Sequence, residues 1–76
     1  MTREDVKNRH ARGIVFDTHV MANPANTKEW IVFFKKGAGK SFFLVNDMES
    51  VESFVRLDDV VDELKELGIK RVEVHC

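Results

Sequence analysis

Three histidines, one cysteine and a glycine-lysine-serine triplet are the residues whose chemistry could go beyond packing. Gly39-Lys40-Ser41 ends like a phosphate-binding loop. That loop needs a glycine five residues before Gly39, where Phe34 stands, and a helix after the serine whose amides hold phosphate. Phe42-Phe43-Leu44-Val45 follows instead and has strand character, so no nucleotide-hydrolysing loop is expected. His10, His19 and His75 are scattered, and His75-Cys76 is the only adjacent His/Cys pair. Paired metal-ligand spacing of the zinc-finger kind is missing, so no metal and no cofactor is assigned. Asp17 and His19 project from the same face of one strand, where a carboxylate can orient an imidazole. Catalysis would also need a nucleophile, and none stands at a special turn. Cys76, at the end of the sequence, lacks ordered partners to activate its thiol. No catalytic residue is assigned, and an enzyme is not expected.

The elements that would carry any site follow from patterning. Residues 1–12 are polar; Thr2 followed by Asp5 loosely resembles a capping box, giving a short helix ended by Gly13, or else a polar arm. Residues 14–21 alternate, with Ile14, Phe16, Thr18 and Val20 on one face and Val15, Asp17 and His19 on the other. A loop at Asn23-Pro24-Ala25-Asn26 follows. Residues 29–36 and 40–46 are apolar runs joined by a short, glycine-containing turn, as in a hairpin. Residues 51–55 are a candidate fourth strand. Leu57, Val60, Val61, Leu64 and Leu67 form a helical stripe over residues 58–67, with Asp58 as candidate N-cap and Gly68 as stop. Residues 69–75 resume alternation, Val72 and Val74 opposite Arg71, Glu73 and His75. The expected fold is α+β: an antiparallel sheet of three to five strands, in the order βββ(β)αβ, with one amphipathic helix packed on one face.

With 76 residues, the chain is expected to form one small domain, residues 1–76. A domain this small is marginally stable alone, and dimerisation would enlarge its core. One cysteine closes no disulfide within the chain, and residues 1–10 lack the apolar stretch of a signal peptide. No apolar run approaches the length of a membrane span. A reducing, cytoplasmic setting without membrane insertion is expected.

Both faces of the 29–46 hairpin are apolar: Trp30, Val32 and Phe34 alternate with Ile31 and Phe33, Phe42 and Leu44 with Phe43 and Val45. One helix of about ten residues, roughly 15 Å long, covers only one face. The other must meet the N-terminal segment, another subunit or a ligand. Charge is divided as well. Residues 1–40 hold eight Lys/Arg and four Asp/Glu, a net of +4; residues 41–76 hold four and nine, a net of −5. The acidic excess lies largely on the helix, at Asp58, Asp59, Asp62, Glu63 and Glu66, where a solvated face is the first expectation. The expected interaction face comprises Trp30, Phe34 and Phe43 with Lys35, Lys36 and Lys40. The primary reading is a small non-enzymatic binding or adaptor module, homodimeric through this aromatic hairpin or bound there to a protein partner. The alternative is a nucleic-acid-binding accessory protein, with lysines on phosphates and exposed rings stacked on single-stranded bases.

Overall fold

The polar N-terminal stretch is helical because its first turn is closed by side chains. In the computed structural model, which describes residues 1–14, 16–36 and 39–75, α1 spans Arg3–Ala11. The Thr2 hydroxyl accepts from the Asp5 amide at 3.2 Å, and the Asp5 carboxylate accepts from the Thr2 amide at 3.1 Å, completing a capping box. Arg3 then ties the helix to the rest of the chain through Glu52 at 2.6 Å and Glu63 at 3.0 Å.

Five strands follow, interrupted by a second helix: β1 (Asp17–Asn23), β2 (Asn26–Lys36), β3 (Lys40–Phe43), β4 (Ser53–Phe54), α2 (Leu57–Glu66) and β5 (Glu73–His75). The sheet order is β3-β2-β1-β5, and β4 also pairs with β2. A tight turn at Pro24-Ala25 joins β1 to β2; the Asn23 side chain accepts from the Ala25 amide at 3.0 Å, an Asx turn. Gly39, on the β3 side of the next connection, has φ +80°. The expected glycine turn also includes Gly37 and Ala38, which lie outside the described residues, as do Val15 and Cys76.

The α+β class is as expected, but the sheet is mixed rather than antiparallel. β5 runs parallel to β1, with His19 opposite Glu73 and Met21 opposite His75. The physical reason is α2. A helix crossing over a sheet returns the chain so that the next strand repeats the direction of the previous one. Since β4 is antiparallel to β2 and β2 to β1, the strand after α2 runs with β1.

Both helices contribute to one core. Val6 of α1 and Val60, Leu64 and Leu67 of the α2 stripe cluster with Val20, Val32, Phe34 and Leu44. Burying each such side chain is worth about 1.5–3 kcal/mol. The N-cap of α2 is Arg56 rather than Asp58, and no side chain caps it. Asp58 and Asp59 lie in the first turn, where the helix dipole favours their charge. Gly68 stops the helix with φ +85°. Among the described residues no helix is long and apolar enough to cross a membrane.

Candidate functional site: the sheet face without helices

Alternation along β1 and β2 decides what each face of the sheet carries. Register aligns Val20 with Val32, and Thr18 with Phe34 and Phe42, on the helix side. It aligns Met21 with Ile31, and His19 with Phe33 and Phe43, on the opposite side. Because α1 and α2 share one face, the N-terminal segment does not cover the second one. That face lines up Met21, Ile31, Phe33 and Phe43, of which Ile31 is buried, Met21 and Phe33 are half-buried and Phe43 is exposed, bordered by His19, Glu73 and His75 from the β1–β5 pair.

The expected interaction residues divide between the two faces. Phe34 is 0% exposed, with its ring 5.9 Å from Phe16 in the helix-side core. Trp30 is half-buried against that core and pairs across strands with Ala22 and Phe54. Both are therefore corrected from interaction face to packing, since even-numbered positions of β2 point at α2. Phe43 is 43% exposed on the other side, 6.1 Å from Phe33. Lys35, Lys36 and Lys40 are all exposed at the far end of the β2–β3 hairpin. Lys35 places its Nζ 6.0 Å from the Phe33 ring centroid, a weak cation–π contact at most.

The most structured part of this face is a group that lies far apart in the chain. His19 is only 8% exposed; its ring stacks on Phe33, centroids 4.9 Å apart and planes inclined by 13°. His19 Nδ1 lies 2.8 Å from His75 Nε2, a hydrogen bond whose donor depends on the tautomers. The Glu73 carboxylate is 3.6 Å from the same Nδ1. The imidazole thus turns to Glu73 and His75, not to Asp17 as its spacing on the strand suggested. Chemically, the three residues offer two imidazole nitrogens and one carboxylate oxygen within 4.8 Å of one another. The histidines that look scattered in the sequence are brought together in two of three cases. The only available signal was that Glu73 and His75 alternate onto one face; nothing in the spacing says that β5 lies beside β1.

No family model, no curated protein and no solved structure matches this chain.

Proposed function

We propose that the protein is a non-enzymatic binding module that self-associates through the helix-free face of its sheet. The observation that carries this reading is the apolar row of half-buried Met21 and Phe33 and exposed Phe43, set beside buried Ile31, on the side opposite both helices. A strip of apolar side chains spanning three strands is the kind of surface that marks an interaction site. Sheets that pack face to face interdigitate such residues about 10 Å apart. Four strands about 4.8 Å apart and six residues long give a face of roughly 400 Å² in projection. That is small beside the ~800 Å² per partner of a standard interface, so the dimer is expected to be micromolar rather than nanomolar. Sedimentation equilibrium across the micromolar range tests it. Phe43→Asp, at an exposed position, should yield a folded monomer, while the unaltered chain dimerises with rising concentration. A chain that stays monomeric at hundreds of micromolar removes the proposal.

The juxtaposition of Lys35 with Phe33 and exposed Phe43 supports a second reading, single-stranded nucleic-acid binding. Trp30 lies on the helix side, so anisotropy of a labelled strand, not tryptophan quenching, is the appropriate signal. Binding that falls steeply between about 50 and 200 mM salt and is weakened by Lys35→Glu with Lys36→Glu would favour this reading. Unchanged affinity in that double variant would remove it.

A further inference from the structure

We propose that His19, Glu73 and His75 form a site for a divalent transition metal ion of the zinc type. The donors are of the right kind. Two neutral imidazoles and a carboxylate suit zinc and its neighbours in the first transition row, and the one negative charge offsets part of the ion's own. The two nitrogens lie close to the spacing of ligands on one ion, and the carboxylate oxygen is 3.6 Å from His19 Nδ1, all three donors lying within 4.8 Å of one another. Two nitrogens bound at 2.0–2.1 Å with a near-tetrahedral angle sit roughly 3.3 Å apart. His19 Nδ1 and His75 Nε2 are 2.8 Å apart, so a shift of about half an ångström converts a shared proton into a shared metal. His75 and Glu73 are exposed and free to make that shift.

Preorganisation comes from the sheet. Parallel pairing sets Glu73 directly opposite His19 and carries His75 one step further along the same face. Phe33 forms the floor: its ring stacks on His19 and lies 6.3 Å from His75, inclined by 24°. His19 is therefore the fixed ligand, and the two β5 residues close over the ion. Three protein ligands leave a fourth position for water or another donor, the arrangement of an open rather than a sealed zinc site. The inference stands apart from self-association, because all three ligands belong to one chain.

The full chain, stripped with a chelator and dialysed, would be titrated with Zn²⁺ by calorimetry and with Co²⁺ by visible absorption. One ion per chain with micromolar or tighter affinity is expected, together with ligand-field bands on Co²⁺ addition. His75→Ala and Glu73→Gln, both at exposed positions, should each weaken binding at least tenfold, a loss at the low end of what disturbing even a metal site's outer partners causes. His10→Ala, on α1, should leave the affinity unchanged, and circular dichroism should show all variants folded. Failure to bind below about 100 μM, or affinity unchanged by His75→Ala, overturns the proposal. So does binding that Cys76→Ser abolishes while Glu73→Gln leaves intact. Sedimentation in excess chelator keeps the question of self-association separate: a dimer that persists there leaves the function above standing whatever the titration reads.

Discussion

At Thr2 a single hydroxyl and the carboxylate of Asp5 satisfy two amides that a helix start would otherwise leave bare. Thr2→Ala should cost about 1 kcal/mol of stability at neutral pH, read as a lower urea midpoint with an unchanged slope. The hydrogen bond from the Thr2 backbone amide, and then the one with the Thr2 side chain, hold the Asp5 carboxyl below the ordinary carboxylate range. The folded value is the lower one, so this contribution is present above the ordinary pKa and is lost as pH falls through the depressed one. Asp5→Asn should remove that step from the acid limb of a stability profile. Individual residues were also where sequence reasoning was weakest. Trp30 and Phe34 have the composition of an interaction face, yet alternation alone does not say which side of a strand the helix will choose.

Elements were far more legible. The α2 stripe reads directly from the spacing of Leu57, Val60, Val61, Leu64 and Leu67, and each of these is at least half-buried. Gly68 ends it for a reason that reaches beyond the element. Its positive φ disfavours any side chain, and a Cβ there would lie 3.0 Å from the His10 ring of α1. Gly68→Ala should therefore destabilise the fold by about 1–2 kcal/mol through the left-handed backbone, with a further part from the crowded ring. In a His10→Ala background only the second part should disappear. A double-mutant cycle in urea measures the difference, and strict additivity would show that the ring moves aside at no cost. The short elements were read less well: residues 51–55 shorten to Ser53–Phe54, and residues 69–75 to Glu73–His75. Such strands are defined by the neighbour they pair with more than by their own residues.

For the whole molecule, the division of labour between faces is the dominant feature. One face is filled by α1 and α2; the other offers the Phe33 and Phe43 rings, Lys35 at one end and a histidine–glutamate group at the edge. If that second face closes on a second copy, the folded state gains stability by mass action, and the melting temperature should rise with protein concentration. Phe43→Asp should make it independent of concentration, and a melting temperature that does not vary in the unaltered chain would count against self-association. The acidic face of α2 is partly neutralised internally, since Glu63 pairs with Arg3 of α1, while Asp58, Asp59, Asp62 and Glu66 remain exposed.

What the sequence determined by itself was whatever has a period. Two-residue alternation and the 3.6-residue stripe are local consequences of backbone geometry, so the α+β class, the α2 span and the apolar character of both hairpin faces were visible without coordinates, whereas residues 1–12, which have no such stripe, were left between a short helix and a polar arm. Tertiary structure alone decided which hairpin face the helices take, the parallel return of β5 to β1, and hence the meeting of His19 with Glu73 and His75 across more than fifty residues. Those outcomes depend on where the chain goes after α2. A pairing choice of that kind is made by packing the entire core, not by any residue's own preference.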